Sequence, residues 1–450
     1  MKAVIMAGGE GTRLRPLTCT MPKPMVPVVN KPMMEHILDL LKKHGFREIA
    51  STLWYLPEMI EGYFGDGSDY QVAMHYFVET KPLGTAGSVK NAQRFLDQPF
   101  IVVSGDCLTD IDLSAAVEFH RQKRALATLV LTRVANPLSY GVVITNDEGR
   151  ITQFLEKPSW SEVFSDTVNT GIYILEPEVL DAIPDQEKYD FSQNLFPKLL
   201  AQQAPLYGYV AEGYWSDVGN LEVYRQAQLD CLDGKVKVEL SVPKQSQNWI
   251  AADAVVADDV QITGPVYIGS GVRIGPSCRL GAYTVIGDHS QLDAGVDIKR
   301  TTIWQRVKIG AESELRGVIL AHNSCLGANT KAYEGSVIGE KTLVGAQTTI
   351  DPNVKIWPCK QIAKGSRLTQ SVVWGFQNEP ALFAATGVKG DIRSSLTLEM
   401  IVKFGLAYGS FLGKGKSVIV SADPSSVGRL AKRTLTCGLM AAGINVYDVG

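Results

Sequence analysis

Residues Gly8 to Met25 read GGEGTRLRPLTCTMPKPM and follow directly on the apolar run Val4 to Ala7. An apolar run that breaks into glycines is a buried strand ending in a turn. Without a Cβ in the way, the backbone N–H groups of such a turn can crowd round phosphate oxygens. Arg13, Arg15 and Lys23 bring positive charge to the same turn, so the segment is read as a cradle for a triphosphate. Gly8, Gly9, Gly11 and Thr12 are its candidate nucleotide contacts, and Arg13 and Lys23 its candidate catalytic cations. The spacing is neither that of a Walker loop, which needs Gly-Lys-Ser or Gly-Lys-Thr, nor the Gly-x-Gly-x-x-Gly dinucleotide fingerprint, which removes the ordinary kinase and dehydrogenase readings.

Outward from this turn, residues 1 to about 235 alternate β-branched apolar runs with amphipathic stretches, the pattern of a mostly parallel sheet covered by helices. Lys2 to Ala7, Glu48 to Leu53, Phe100 to Ser104 and Ala127 to Arg133 read as strands, and Pro32 to His44 as a helix stopped by Gly45. The Gly-rich turn therefore sits at the carboxyl end of a strand, where ligands gather in open α/β sheets. From about 252 to 372 the period changes to six. Ile268, Ile274, Leu280, Ile286, Leu292 and Ile298 keep strict register, and after a phase slip the beat resumes from Leu320 to Leu368. This is a hexapeptide solenoid of stacked coils. A third segment, 380 to 450, begins another α/β layer.

The chain has 450 residues, a formal net charge of -3 and 20% charged residues, which excludes a general polyanion-binding character. No signal segment or apolar run of membrane length is evident. Seven scattered cysteines, never paired as C-x-x-C, read as reduced thiols. A cytoplasmic protein is expected, without nucleic-acid or membrane partners.

Anions must be brought together at such a turn, so charge compensation is the chemical requirement. A magnesium ion takes one or two carboxylates and completes its shell with phosphate oxygens and water. Asp106 follows the apolar strand Phe100-IVVSG, so its carboxylate emerges at the ligand edge and is the first metal-ligand candidate. Asp217, in Tyr214-WSDVG, is the second, with a helix N-cap as the alternative on sequence grounds.

The whole string GGEGTRLRPLT…PKPM resembles the opening of nucleotide-diphospho-sugar pyrophosphorylases, that is, sugar-1-phosphate nucleotidyltransferases. The likeness extends to about residue 372 and is strongest with the mannose-1-phosphate guanylyltransferases that carry a C-terminal left-handed parallel β-helix. It implies a Rossmann-like α/β nucleotidyltransferase domain (1–235), a hexapeptide-repeat left-handed β-helix (252–372) and transfer of a nucleotidyl group from an NTP to a hexose 1-phosphate with release of pyrophosphate. GTP and mannose 1-phosphate are the favoured pair and Mg2+ the cofactor. It also implies that Asp217 joins Asp106 on the ion. Glu79, Gly84 and Thr85, in ETKPLGTAG, would face the base and ribose. Glu156 would contact sugar hydroxyls, Lys157 would neutralise the attacking phosphate, and Gly141 and Asn169 would complete the sugar-phosphate site. The solenoid, with flat faces and open ends, is expected to mediate homo-oligomer assembly or regulation. Residues 380–450 resemble the start of domain I of phosphohexomutases; the phosphoserine, metal and sugar loops of that family have no counterpart, so a truncated mutase-like unit without mutase activity is expected.

Three other functions compete with this one. A glucose-1-phosphate uridylyl- or adenylyltransferase uses relatives of the Leu83-GTAG loop. A non-catalytic nucleotide-sugar-binding regulatory subunit would keep the fold but lose Arg13, Lys23 or an Asp ligand, and all are present. His322, His289 and Cys325 in the solenoid raise a hexapeptide-repeat acyltransferase, in which a His would act as base.

Overall fold

Apolar β-branched segments with buried faces form the central sheet, and its order explains where ligands can go. The computed structural model describes residues 1–156, 165–374, 383–384, 387–388 and 396–449. Strand Lys2–Met6 lies at the middle, paired in parallel with Glu48–Leu53 on one side and Phe100–Ser104 on the other, and Glu48–Leu53 pairs in parallel with Ala73–Val78. The chain thus builds outward in one direction, then returns to the opposite flank of its first strand. That reversal is a topological switch point, with a crevice at the strands' carboxyl ends. The Gly8 turn and Asp106 both emerge there.

The rest of the sheet departs from the mostly parallel expectation. Thr167–Leu175 runs antiparallel to Phe100–Ser104, to Ala127–Arg133 and, by one pair, to Gly141–Thr145, which is itself antiparallel to Ile151–Glu156. Runs of β-branched residues encode a buried strand but not its direction, because both faces are covered either way. The helix Met33–Lys43 buries Met33, Met34, Ile37, Leu38 and Leu41 against the sheet, as its spacing predicts.

The hexapeptide segment folds into a parallel β-helix of three sheets, with successive coils in register. Ile250, Ile268 and Ile286 stack on one another, then Ile303, Leu320, Ile338 and Ile356. Each coil step is eighteen residues except Ile286 to Ile303 and Ile303 to Leu320, which are seventeen. Both shortened steps fall at one corner, where Lys299 leads to Thr302 and Arg316 to Ile319, and they are the source of the phase slip. Corners turn through the left-handed region at intervals of six, among them Ser277, Tyr283 and His289, then Arg300, Arg306 and Glu312.

Glycines next to the inward residues allow the following coil to approach. A Cβ on Gly327 would lie 2.4 Å from the Ala346 nitrogen and 2.7 Å from its Cα. Backbone cannot yield as a side-chain tip can, so Gly327→Ala is expected to cost about 1–3 kcal/mol. A urea-unfolding midpoint equal to that of the wild type would contradict this account of the corner.

The residues that precede the inward ones point outward, and they differ by sheet. On two sheets they are largely polar or charged, such as Arg273, Gln291, Lys308, Arg279, Asp297 and Glu314. On the third they are Trp249, Tyr267, Val285, Thr302, Ile319 and Val337, and the apolar members of this set belong to the core of the N-terminal domain. One of the three flat faces expected to serve assembly is therefore covered by the chain's own catalytic domain. Trp304 Nε1 donates to Tyr224 OH at 2.9 Å, and Tyr224 OH donates to the Pro27 carbonyl at 2.6 Å, so both of these buried side-chain groups are paired.

The last segment forms a small α/β unit. Helices Leu398–Leu412 and Ser426–Ala441 pack on each other and accompany the parallel strands Ser417–Val420 and Asn445–Asp448. No helix among the described residues is long and apolar enough to cross a membrane.

Candidate active site

The turn after Lys2–Met6 is shaped by Gly11 at φ 63, where a Cβ would lie 2.9 Å from Lys23 Cβ. That close approach seats the aliphatic stem of Lys23 beneath the turn, and Thr18 Oγ1 fastens it by donating to the Gly11 carbonyl at 2.7 Å. Lys23 is buried, and its ammonium reaches Asp106 Oδ2 at 2.5 Å and Asp217 Oδ1 at 3.2 Å. Asp217 arrives on Trp215–Asp217, which pairs antiparallel with Cys107–Thr109 in the register Asp217↔Cys107. This two-stranded ribbon places two carboxylates far apart in sequence on either side of one ammonium.

Burial opposes the ammonium of Lys23, but the attraction and hydrogen bonds of Asp106 and Asp217 outweigh it, so its pKa lies above the usual lysine value. Burial likewise opposes the Asp106 carboxylate, and the Lys23 charge with the donated Lys23 and Ser104 hydrogen bonds holds it below the usual carboxylate range. Lys23 and Asp106 are therefore both charged at neutral pH. Beside it, burial first, and then the charges of Asp106 and Asp217, push the Cys107 thiol well above its ordinary value. A buried thiol with a raised pKa is a poor nucleophile.

These groups open onto a cleft of about 450 Å3 that also receives Arg13, Gly141, Glu156 and Asn169. Glu156 pairs in register with Gly141, and a Cβ at Gly141 would lie 2.8 Å from Glu156 Oε2, so the glycine makes room for that carboxylate. Asn169 sits at a register shift of strand Thr167–Leu175, where its Oδ1 accepts from the Gly171 N–H at 3.0 Å and its Nδ2 donates to Tyr173 OH at 2.9 Å. Its side chain is thereby held rigidly at the cleft wall. Lys157 lies outside the described residues.

The remaining candidates lie at other places. Glu79 is buried beside Gly8, with Oε2 accepting from the Leu83 N–H at 2.8 Å. Burial raises its pKa, against the lowering effect of that bond and of Ser88. Gly84 and Thr85 open the helix Gly84–Asn91, whose Ala86 and Gly87 N–H groups both donate to the Tyr189 carbonyl at 3.0 Å. Thr85 Oγ1 donates to Asp190 Oδ2 at 2.8 Å and accepts from the Phe191 N–H at 3.0 Å. Like Gly8, Gly9, Gly11, Thr12 and Glu79, these two residues are not among those lining the cleft. Gly9 and Thr12 are exposed on the turn.

Sequence reasoning missed Tyr140 and Trp215, which line the cleft as an edge-to-face pair with ring centroids 5.3 Å apart. Trp215 Nε1 donates to the Thr170 carbonyl at 3.0 Å. Trp215 lies two residues before Asp217, so the alternation of a short strand was the available signal. The solenoid histidine His322 accepts from the Gln305 N–H at 3.2 Å and packs on Trp304 with ring centroids 4.8 Å apart. These contacts account for it as an interface residue.

Residues 2–234 match the family described as Nucleotidyl transferase. The chain belongs to that family. Residues 262–372 match the GMPPB C-terminal domain, and residues 380–450 match the phosphoglucomutase/phosphomannomutase alpha/beta/alpha domain I. A UTP–glucose-1-phosphate uridylyltransferase of Synechocystis sp. is 38% identical over 352 residues, covering 72% of this chain and 88% of that protein. A mannose-1-phosphate guanylyltransferase of Mycobacterium tuberculosis is 38% identical over 234 residues, 52% of this chain and 65% of that protein. A probable mannose-1-phosphate guanylyltransferase 3 of Oryza sativa subsp. japonica is 33% identical over 380 residues, 83% of this chain and all of that protein. This nucleotidyltransferase is an enzyme acting on a nucleoside triphosphate and a sugar 1-phosphate.

Nucleotidyltransferases of this family use a divalent cation. Asp106 and Asp217 fit one, because their carboxylates already converge on a single positive charge, the Lys23 ammonium. Among the described residues no group of three or more acidic, His or Cys side chains makes a cage by itself. Two carboxylates suffice for an ion that arrives with phosphate oxygens and water.

Proposed function

We propose that this nucleotidyltransferase forms GDP-mannose and pyrophosphate from GTP and mannose 1-phosphate. The observation that carries the reading is the cleft itself, in which the Lys23–Asp106–Asp217 cluster and the Gly141–Glu156–Asn169 wall share one cavity. A sugar phosphate has a second pKa of about 6, so at neutral pH it attacks the α-phosphorus without a general base. What it needs is orientation and relief of charge. In this reading Arg13 and Lys23 hold the β- and γ-phosphates and stabilise the departing pyrophosphate. The N–H groups of Gly8, Gly9, Gly11 and Thr12 approach the triphosphate. Asp106 and Asp217 hold Mg2+, whose contribution is to neutralise charge on the phosphate oxygens. Glu156, Asn169 and the Gly141 backbone orient the hexose, and Lys157 meets its phosphate.

The preference for guanine rests on Glu79. A buried carboxylate beside Gly8 suits the paired N1–H and N2–H2 donors of guanine, whereas uracil offers one donor between two acceptors. The names of the relatives from Mycobacterium tuberculosis and Oryza sativa support the same pair. A second reading, UTP with glucose 1-phosphate, is favoured by the uridylyltransferase relative. Pyrophosphate release with Mg2+ across GTP, ATP, UTP, CTP and dTTP against mannose, glucose and N-acetylglucosamine 1-phosphates decides between them. GTP with mannose 1-phosphate is expected to give the highest kcat/KM. A maximum at UTP with glucose 1-phosphate would replace the proposal with the second reading.

A further inference from the structure

The phosphate turn and the β-helix meet at a charge-assisted hydrogen bond, in which Thr20 Oγ1 donates to Glu340 Oε2 at 2.6 Å. Thr20 lies between Arg13 and Lys23, in a segment already fastened on its other flank. Tyr55 OH lies 3.3 Å from the Thr18 carbonyl and 3.4 Å from that of Cys19, donating to both, while Thr18 Oγ1 holds Gly11. Glu340 stands on a rigid support. It follows the strand Val337–Ile338 at a coil corner, its carbonyl accepts from the Cys359 N–H of the next coil at 2.8 Å, and its Oε1 lies 3.0 Å from Lys341 Nζ. Other polar contacts of the docked face reach the helix Leu221–Leu232, as Trp304 with Tyr224 and Arg225 with the Gly335 carbonyl at 2.8 Å, or reach Asn30, which meets Tyr267 OH and Gln305 Nε2, each at 3.4 Å. The bond from Glu340 reaches the turn that carries the phosphate-binding cations.

We infer that Glu340 is a positioning residue for nucleotidyl transfer: through Thr20, the β-helix sets the place of Arg13 and Lys23. The physical basis is that a short loop held at both flanks keeps its charged side chains preorganised. Releasing one flank makes the bound phosphates bear the cost of ordering it. A bond to an ionised acceptor is about twice as strong as a neutral one, so a carboxylate suits this position. The β-helix thereby becomes part of the catalytic apparatus without contributing a group that touches substrate. The inference rests on the phosphate role proposed above for Arg13 and Lys23.

The test uses the full chain and two readouts, steady-state kinetics and calorimetric binding of the nucleoside triphosphate, which needs no turnover. Thr20→Val and Glu340→Ala are each expected to weaken triphosphate binding and lower kcat/KM about ten-fold, with the KM for sugar 1-phosphate unchanged. The double variant is expected to lose no more than either single one, because both remove the same bond. Thr20→Ser, which keeps the donor, is expected to stay within about two-fold of the wild type, and Glu340→Gln, which keeps an acceptor without its charge, to lose about three-fold. Arg13→Ala, measured alongside, separates the premises. If Arg13→Ala leaves triphosphate binding intact, the phosphate role fails. If it weakens binding while Glu340→Ala does not, or if the two single losses add in the double variant, the positioning role is overturned.

Discussion

Replacing Asp106 with asparagine is expected to lower metal-dependent turnover by about 100- to 1,000-fold, the usual cost of removing one preorganised electrostatic group from a reacting centre. The change keeps the volume of the side chain and removes its charge. Asp106 follows a strand that is almost wholly buried, and its neighbours Gly105 and Cys107 keep their backbone contacts to Met6 and Asp217. The circular-dichroism spectrum should therefore be that of the wild type. Raising the magnesium concentration should recover part of the loss, because a site with one carboxylate fewer binds the cation more weakly rather than not at all. Turnover near the wild-type value, at ordinary magnesium, would remove Asp106 from the metal site.

Lys23→Met tests the other half of the same cluster and should affect both stability and activity. Lys23 is buried against two carboxylates, so its loss leaves those charges facing each other without a counterion. Breaking a buried pair in this way costs about 3 kcal/mol of stability. Turnover is expected to fall by at least about 100-fold, since the variant also lacks the cation proposed to meet the leaving pyrophosphate. A divalent cation can take over the charge the ammonium supplied, so added magnesium should raise the melting temperature of the variant more than that of the wild type. A melting temperature that stays at the wild-type value and ignores magnesium would show that the two carboxylates are not coupled through Lys23.

The comparison of sequence and structure turns on what a local pattern can encode. The six-residue beat was readable because each inward Ile or Leu faces the coil axis at a fixed interval, and every member from Ile268 to Leu368 is buried. The phase slip between Ile298 and Leu320 was visible, and its cause, two shortened corners, needed the coil register. The docking face was present in the letters too. Tyr267, Val285, Ile319 and Val337 are apolar where the equivalent residues of the other sheets are polar. The six-residue beat does not mark it, because the beat reports only the inward positions.

The candidate site was legible in part for a similar reason. Arg13 and Lys23 share a single turn with the glycines, and Asp106 follows an obvious buried strand, so local reasoning finds all three. The meeting of Asp217 with Asp106 depends on a two-stranded ribbon between distant segments, which no spacing encodes; the family resemblance supplied it. For Gly84 and Thr85 the resemblance supplied the role and the fold supplied the neighbours. Their loop resembles one that faces a nucleotide, while in this fold their neighbours are Tyr189, Asp190 and Phe191.

The central claim is that the sugar phosphate attacks the α-phosphorus directly, in a cleft that supplies charge and orientation but no protein nucleophile. The stereochemical course at that phosphorus tests it most directly. A nucleoside 5′-triphosphate carrying a chiral thiophosphate at the α position is converted to nucleotide sugar, and the configuration of the product is read by phosphorus NMR. A single in-line displacement predicts inversion. Retention would require two displacements through a covalent nucleotidyl-enzyme and would contradict the account.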